Sequence, residues 1–475
     1  MPSSNERKSL SWWSNLRIAH QHHTHLSIMK IIIAGAGAVG THLAKLFSRE
    51  RHDITLIDDN PERLEGIGSN FEMLTICDSP SSIETLKRAD VGKADLFIGV
   101  TPDEAHNMTC CMLASKLGAA KTVARVDNYE YTRPEHRDFF KTVGIDSIIY
   151  PEMLAGREIM HNACHSWVRQ WLEIQNGALL MLGIKVREDA HILDVPLRRL
   201  CGPEAPYHIV AIKRGVETII PHGDDCVEAG DMAYFMTTKE YVDYLRDITG
   251  KMDYPEVKNL FIMGGGSTAV QAIWYMPENI HAKVVEADVH RCERLNELIS
   301  RRHVLILHGD GRDLDLLVDE GIRNAQAFLA LTDNSEANIL ACLAAKRLGV
   351  RKTVAMVENT DYISMAESLD IGSIINKKTF AASHIYQMML KADVTTMKTL
   401  TVANADVAEF VVKEGSRITH KQVKDLDLSS TVTLGGLVRN GKGTLINGNT
   451  YIQAGDTVVA FCLENTVKRL EKFFK

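Results

Sequence analysis

Short apolar runs alternate with helix-like segments along the chain from Met29 onward. Between residues 29 and 150 the runs with strand character are MKIIIAG, DITLID, EMLTICD, ADLFIGVT, KTVARVD and DSIIYP. The segments between them, such as IETLKRA and HNMTCCMLASKLG, have helical composition and spacing. This alternation is typical of a doubly wound parallel sheet with helices on both faces. We therefore predict an α/β fold in which ligands bind beyond the carboxyl ends of the strands.

The next segment, from Pro151 to Trp171, has apolar residues at helical spacing. They are Leu154, Ile159, Met160, Ala163, Trp167 and Trp171. Because a helix with such a stripe must bury it, we expect a partner subunit to cover this face. From residue 178 to about 247 the pattern changes to short strands and turns, as in YHIVAIKRG and MAYFMTT, which predicts a small α+β module.

The whole pattern then occurs a second time. NLFIMGGGSTA restates the earlier IIIAGAGAVG, and KLGAAKTVARVDNYEY is matched by RLGVRKTVAMVENTDY. The small module also recurs, because VEAGDMAYFM is matched by IQAGDTVVAF, and Asn440-Gly441 predicts a hairpin turn there. The chain is therefore predicted to be a tandem duplication of two-part units of about 225 to 230 residues each.

Domain boundaries follow from the duplication. The first unit is predicted to have a Rossmann-like domain at 29–150, a linking helix at 151–176 and a small α+β domain at 177–250. The second has the same three parts at 256–376, 377–397 and 398–475. Residues 1–28 are polar and His-rich, and we expect a disordered or non-native extension. Four histidines there (His20, His22, His23 and His25) are compatible with a metal, but a disordered tail explains them better, so no metal site is predicted.

A glycine-spaced turn follows the first strand of each unit. In the first unit Gly35 allows the tight turn, Gly37 lets the backbone approach a pyrophosphate, and Gly40 permits close packing of helix on strand. The free N–H groups and the positive end of the helix dipole bind the anion. In the second unit the turn is restated by Gly264 and Gly266, with alanine at the third position.

The second strand of each unit ends in a carboxylate. Asp58 lies 23 residues after Gly35, and Glu286 lies 22 residues after Gly264. A carboxylate at this place accepts hydrogen bonds from a ribose diol. A 2′-phosphate would meet a like charge, so we expect NAD or a plain adenine nucleotide to be preferred to NADP.

The composition of the whole chain restricts the class of partner. With 475 residues and a formal charge of −7, the chain has no basic block suited to nucleic acid. No apolar run approaches the roughly 20 residues of a membrane-spanning helix. We therefore expect a soluble protein, or one held at a membrane only by a partner.

The motifs together resemble the RCK family, the regulators of potassium conductance. The resemblance rests on the glycine turn, the carboxylate that ends strand two, the D-x(22)-T-x(5)-N pattern of Asp78, Thr101 and Asn107, and the small module that follows. It covers roughly residues 29–475. Two complete units in one chain are similar to the peripheral regulatory subunits of bacterial Trk potassium uptake systems.

This resemblance implies a regulatory protein rather than an enzyme. Members of this kind form a homotetramer on the cytoplasmic face of the cell membrane and dock on a TrkH-type potassium-translocating membrane protein. They bind NAD(H) and the adenine nucleotides ATP and ADP. Two alternatives stay open: an NAD-dependent oxidoreductase with duplicated cofactor domains, and a nucleotide-binding scaffold unrelated to ion flux.

The resemblance also implies two sets of binding residues. In the first site, phosphates would lie on the turn, ribose on Asp58, adenosine near Asp78 and Thr101, and phosphate oxygens on Arg125; the turn residues are Gly35, Ala36, Gly37, Ala38 and Val39. The corresponding residues of the second site are Gly264, Gly265, Gly266, Ser267, Thr268, Glu286, Asp310 and Thr332.

Several of these positions have a simpler structural explanation. Asp78 and Asp310 could cap the helices that follow them. Arg125 could form an intersubunit ion pair. The asparagines Asn107 and Asn338 are expected to tie down the loop after the fourth strand rather than to contact a ligand.

The second unit departs from the pattern at Met356 and Ala269. Met356 stands where the first unit has Arg125, so we expect the first site to hold the more highly charged or extended ligand better.

Overall fold

The computed structural model describes residues 28–474 except 50, 66, 68–70, 203, 301, 390–393, 401, 404 and 464–465. Residues 1–27, which include the four histidines of the predicted extension, lie outside the described residues. The described residues form two compact units, one of the residues up to 124 together with 137–147, and the other of residues 125–136 together with those from 148 onward. No helix among the described residues combines the length and the apolar character that a membrane span requires.

The first six strands form one sheet in the order β3-β2-β1-β4-β5-β6. The strands are β1 Lys30–Ala34, β2 Asp53–Asp58, β3 Leu74–Cys77, β4 Leu96–Gly99, β5 Thr122–Arg125 and β6 Ser147–Ile149. The helices of this part are α1 Ala38–Arg49, α2 Pro61–Leu64, α3 Ile83–Arg88, α4 Glu104–Lys116 and α5 Arg137–Thr142. The pairs of β1 with β2 and β4 are parallel, so this is the Rossmann-like sheet that the alternating pattern predicts.

The segment predicted as a linking helix at 151–176 is helical only in its first part. Helix α6 spans Pro151–Ala163, and β7 begins at Gln170. The first small module contains β7 Gln170–Ile174, β8 Leu179–Lys185, β9 Tyr207–Arg214, β10 Glu217–Ile219, β11 Met232–Thr237, α7 Leu197–Leu200 and α8 Val242–Ile248. Its sheet has the order β10-β9-β11-β8-β7.

The second Rossmann-like sheet repeats the first, with the order β14-β13-β12-β15-β16-β17. Its strands are β12 Asn259–Met263, β13 His281–Glu286, β14 Val304–His308, β15 Ala327–Ala330, β16 Lys352–Met356 and β17 Ser373–Ile375. Its helices are α9 Ser267–Trp274, α10 Val289–Leu298, α11 Leu314–Asp319, α12 Ser335–Arg347 and α13 Ile363–Ser368.

The second small module repeats the strand order of the first, as β18-β19-β22-β20-β21. It contains β18 Val394–Leu400, β19 Ala405–Val411, β20 Val432–Arg439, β21 Lys442–Leu445, β22 Thr457–Leu463 and α15 Val467–Glu471, and it is preceded by α14 Lys377–Met389. The predicted linking helix at 377–397 therefore ends before the strand that begins at Val394. The hairpin turn predicted at Asn440-Gly441 is confirmed, with φ of 51° and 77° between β20 and β21.

Helix α6 is covered by its own chain. Ile159, Met160 and Ala163 are buried in the hydrophobic core of the second Rossmann-like domain, and the two tryptophans of the stripe belong to the core of the first small module. The expectation that a partner subunit covers this stripe is therefore wrong for these residues. The reason is the duplication itself, because the second domain supplies an apolar surface within the same chain.

Close contact between α6 and α9 depends on Gly156. A Cβ at this position would lie 2.6 Å from Cβ of Gln271 and 2.7 Å from the backbone nitrogen of Ala272. The backbone of α6 at Gly156 therefore packs directly against α9. This close contact fixes the first part of α6 beside the second domain.

We predict that Gly156→Ala destabilises the protein. In an unconstrained helix, alanine raises stability by about 1 kcal/mol relative to glycine. Forcing additional atoms into a packed interface lowers stability by about 1–3 kcal/mol. The expected net result is a lower midpoint of urea unfolding. Gly202→Ala is the control, because a Cβ there meets nothing within 4 Å. A Gly156→Ala protein as stable as the wild type would show that the helices are not in tight contact.

Candidate functional site

The first glycine turn is constrained at two of its three glycines. Gly35 has φ of +109°, and a Cβ there would lie 2.9 Å from the backbone nitrogen of Thr101. A Cβ on Gly40 would lie 1.8 Å from the carbonyl oxygen of Gly35. A Cβ on Gly37 would meet nothing within 4 Å, so the protein itself does not require glycine there. Open space at Gly37 is what the approach of a ligand to the backbone needs.

The second turn has the same division between constrained and open glycines. Gly264 has φ of +94° and leaves no room for a Cβ beside Thr332, while a Cβ on Gly266 would meet nothing within 4 Å. A Cβ on Gly265 would lie 2.3 Å from Cδ1 of Leu295. Ala269 is fully buried in the place of the third glycine, so the helix packs there with one methyl group more.

The carboxylate that ends strand two holds each turn in place. Oδ2 of Asp58 accepts a hydrogen bond of 2.6 Å from the N–H of Ala36, and Oε2 of Glu286 accepts one of 2.7 Å from the N–H of Gly265. The other oxygen of each carboxylate accepts a 2.9 Å bond from the N–H two residues further along the chain. Both side chains are buried, with 3% and 5% of the residue surface exposed. Each carboxylate oxygen keeps acceptor capacity for a ligand hydroxyl.

A guanidinium lies beside each of these carboxylates. Arg63 is 3.6 Å from Asp58, and Arg291 is 3.6 Å from Glu286. The like-charge argument against a 2′-phosphate thus applies to carboxylates that already have a neighbouring cation. The sequence pattern did not reveal these arginines, because each lies on the helix after the strand rather than in the motif.

Asp78 and Asp310 do not cap the helices that follow them. Ser82 caps α3 and Asp313 caps α11 through their side chains. The capping explanation for both aspartates is therefore wrong. Asp78 also lies at the strand ends, since its N–H donates to the carbonyl of Asp58 at 3.1 Å.

Each of the two aspartates is paired with an arginine instead. Oδ2 of Asp78 accepts a 3.0 Å hydrogen bond from Arg88, and Oδ2 of Asp310 accepts a 2.7 Å bond from Arg312. Hydrogen bonds from Arg312 hold the pKa of the Asp310 carboxyl below its usual value. Both pairs are exposed, so a ligand can compete for either partner.

The threonine and asparagine of the family pattern form one hydrogen-bonded unit in each domain. Oδ1 of Asn107 accepts from the N–H and the hydroxyl of Thr101, both at 2.7 Å. Asn338 and Thr332 repeat this arrangement at 3.2 and 2.6 Å. The expectation that the asparagines tie down the loop after the fourth strand is confirmed.

In the second compact unit the predicted residues meet in one open cavity of about 660 Å³. The sequence-predicted residues that line it are Gly264, Gly265, Gly266, Ser267, Thr268, Glu286, Asp310 and Thr332. Its cationic side chains are Arg291, Arg294, Arg312 and Lys377. Met356 also lines the cavity, as the sequence predicted, but the cavity is not poor in positive charge.

Two of the cavity residues that sequence analysis missed, Glu152 and Lys377, come from the linking helices. They lie in the first turns of α6 and α14, and Nζ of Lys377 is 3.6 Å from Oε1 of Glu152 and 3.8 Å from Asp333. Oε2 of Glu152 is buried without a hydrogen-bond partner among the described residues. Each residue follows the last strand of a parallel sheet, and that position at the carboxyl edge could have identified them.

Arg125 belongs to the second compact unit, whereas the other predicted residues of the first site belong to the first unit. Its guanidinium lies 3.3 Å from Asp127 and 3.6 Å from Glu152. These two ion pairs are within the chain, and the intersubunit ion pair stays a prediction. The contact of Arg125 with a phosphate stays a prediction.

An RCK unit is defined by a Rossmann-like domain with this turn and strand-end carboxylate, followed by a five-stranded antiparallel module. This chain has two such units. The chain belongs to the TrkA-N domain family, whose model matches residues 31–151 and 260–377. The TrkA-C domain model matches residues 407–475. The resemblance inferred from the sequence is confirmed.

Relatives match nearly the whole chain. The Trk system potassium uptake protein TrkA of Azorhizobium caulinodans is 29% identical over 455 residues, which are 94% of this chain and 99% of that protein. The TrkA of Haemophilus influenzae is also 29% identical over 455 residues, with the same coverage. A TrkA homolog of Archaeoglobus fulgidus is 28% identical over 452 residues, 94% of this chain and all of that protein.

Solved structures share the fold at low sequence identity. The RCK domain of GsuK superposes with a TM-score of 0.59 and 15% identity, over 97% of this chain and 99% of that chain. The GsuK channel bound to NAD gives a TM-score of 0.57 at 15% identity, over 98% of this chain and 83% of that chain. The α/β fold class predicted from the sequence is confirmed.

We predict that Glu286→Gln loosens the second glycine turn. An amide has one oxygen, so its NH₂ group would face one of the two backbone N–H donors, and an unsatisfied buried donor costs about 1–3 kcal/mol. The expected results are faster hydrogen exchange at the Gly265 amide and a lower unfolding midpoint. Glu293→Gln is the control, since its side chain is 69% exposed on the next helix. Unchanged exchange at Gly265 would refute the role assigned to the carboxylate.

Proposed function

We propose that this chain is the nucleotide-sensing regulatory subunit of a Trk-type potassium uptake system. It binds NAD(H) and adenine nucleotides in its two Rossmann-like domains and controls potassium passage through a TrkH-type membrane protein. The observation that carries the proposal is the duplicated turn, with a buried carboxylate hydrogen-bonded to the same backbone N–H in both copies. The names of relatives that match 94% of the chain support the transport system.

The lining of the second pocket favours sensing over catalysis. All of its lining residues come from the second Rossmann-like domain and the first turns of α6 and α14. A dehydrogenase needs acid or base groups and substrate contacts beside the nicotinamide, usually from a second domain. The small modules line no part of this pocket. Within the described residues, the second pocket therefore lacks the contribution from another domain that the oxidoreductase alternative requires.

The two linking helices connect the nucleotide pocket to the small modules, so a change at the pocket can be transmitted to them. Glu152 and Lys377 lie at the pocket, and the helices that they begin lead to the first and second modules respectively. A ligand that changes the Glu152–Lys377 pair would shift the starts of both helices. Binding energy then biases a conformational equilibrium, which is the requirement for regulation.

The ligand class follows from the same groups. The backbone N–H groups of the turn suit a diphosphate, and the strand-end carboxylate suits a ribose diol. GsuK, which shares the fold, has been solved with NAD. We further propose a homotetramer that lies on the cytoplasmic face of the membrane as a peripheral protein, in keeping with the potassium uptake named for its relatives.

We predict that each strand-end carboxylate controls nucleotide binding in its own domain. Asp58→Ala and Glu286→Ala should each remove one set of NADH sites in calorimetry and weaken affinity there roughly ten-fold or more, because a charged acceptor of the ribose hydroxyls is lost. Glu293→Ala should bind like the wild type. NADPH should bind more weakly than NADH, because its 2′-phosphate would meet the like charge of the carboxylate, and equal affinities would contradict this expectation.

Potassium uptake tests the regulatory part of the proposal. In a strain that lacks this chain, the wild type should restore uptake, and the two carboxylate variants should change its dependence on nucleotide state. Full wild-type regulation by a doubly substituted Asp58→Ala/Glu286→Ala protein would refute nucleotide control. Loss of NADH absorbance with turnover of an added substrate would instead favour an oxidoreductase.

We also predict different ligand preferences at the two sites. Glu286→Ala weakens the second site, so that binding reports mainly on the first, and Asp58→Ala does the reverse. Because Met356 replaces the arginine of the first unit, the first site should show the larger ratio of ATP to adenosine affinity. Calorimetry on both variants measures this ratio. Equal ratios would mean that Lys377 and the three pocket arginines fully compensate for Met356.

A further inference from the structure

A second large cavity lies in the same compact unit, between the first small module and the second Rossmann-like domain. Its volume is about 620 Å³, and it shares no lining residue with the nucleotide pocket. The first small module and the segments that flank it contribute residues 166–169, Lys185, Arg187, Asp189, Gly250, Lys251, Asp253 and Tyr254. The second domain contributes Lys346 and residues 349–351. No residue of the family's nucleotide motif is involved.

The cavity concentrates positive charge in a chain whose formal charge is −7. Six cationic side chains line it, against the two carboxylates of Asp189 and Asp253; the cations are Arg169, Lys185, Arg187, Lys251, Lys346 and Arg351. Positive charges gathered in a concave, partly buried site repel each other. They also make the local electrostatic potential more positive, which attracts anions.

A single carboxylate serves three of these cations. Asp370 lies 2.7 Å from Arg169, 2.6 Å from Arg187 and 3.1 Å from Lys346. This cluster joins the two walls of the cavity, because both arginines belong to the module and the lysine to the second domain. One negative charge therefore balances three positive ones, and an excess of positive charge remains at the cavity.

Lys251 is the most informative of the remaining cations. Only 2% of its surface is exposed. It lies 5.0 Å from the ring of Tyr254, and the guanidinium of Arg351 lies 5.8 Å from the same ring. Burial, with Arg187 nearby, lowers the pKa of Lys251 to about 8. The carboxylates of Asp189 and Asp370 act in the opposite direction. Lys251 is thus a buried cation in a site where positive side chains outnumber negative ones, and an anionic ligand would relieve the repulsion among them.

We propose that this cavity binds a small phosphate-bearing polyanion, such as pyrophosphate or the diphosphate of a nucleotide. Arginine forks and lysine ammonium groups are the usual phosphate partners, and both kinds are present. The cavity walls are already joined by Lys352, whose buried Nζ donates to the carbonyl of Val168 at 2.6 Å and to Ser373 at 3.0 Å. A bound polyanion would fasten the first module to the second domain at a rigid junction.

Calorimetry on the full-length chain with inorganic pyrophosphate tests the site. The wild type should show saturable binding, and the double variant Lys251→Gln/Arg351→Gln should lose at least ten-fold in affinity. Lys239→Gln, an exposed cation of the same module, should bind like the wild type. Absence of saturable binding, or equal binding by the double variant, overturns the proposal. Unfolding midpoints of all three proteins establish that each variant is folded.

Hydrogen exchange on the wild type tests the location without any substitution. Pyrophosphate should slow amide exchange in residues 250–254 and 349–351, and ADP should do so if nucleotide phosphates are a source of the ligand. Adenosine lacks phosphate and should have no effect there. Protection confined to the glycine turns, or equal protection by adenosine, contradicts a phosphate site in this cavity. These outcomes do not depend on potassium regulation.

Discussion

A buried carboxylate that accepts a backbone N–H from the glycine turn is the constraint on which each nucleotide domain depends. Asp58 and Glu286 are almost fully buried, and a buried charge is tolerated only with close polar partners. The turn supplies one such partner and the start of the next helix another. There is open space beside Gly37 and Gly266 in the same turns. The proposed anion site would therefore be formed before any ligand arrives.

Much of this arrangement is encoded locally and could be predicted from the sequence. The features that could be predicted depend on residues a few positions apart within each motif. They are the strand alternation, the duplication of the motifs, the glycine turns and the roles of Asn107 and Asn338. The residue at which helix α6 ends could not be predicted from the sequence. Trp167 and Trp171 continue the helical spacing, but they belong to the core of the first small module. Apolar spacing alone does not distinguish these two outcomes over a short segment.

Long-range contacts account for the other differences between sequence and structure. The apolar stripe of α6 indicated a missing surface, but not that the second domain provides it. Glu152 and Lys377 are 225 residues apart in sequence, and only the fold shows that they meet at one pocket. The same holds for the basic cavity, whose walls come from two domains.

Net charge is a poor guide to such a molecule because its charges are unevenly distributed. The formal charge of −7 hides two cavities rich in arginine and lysine. Comparison of single positions has the same weakness. Met356 does replace an arginine, yet Arg291, Arg294, Arg312 and Lys377 line the same cavity. Because electrostatic potential sums over all nearby charges, the affinity of either site for a phosphate depends on the whole lining, and any difference between the two repeats must be measured at that level.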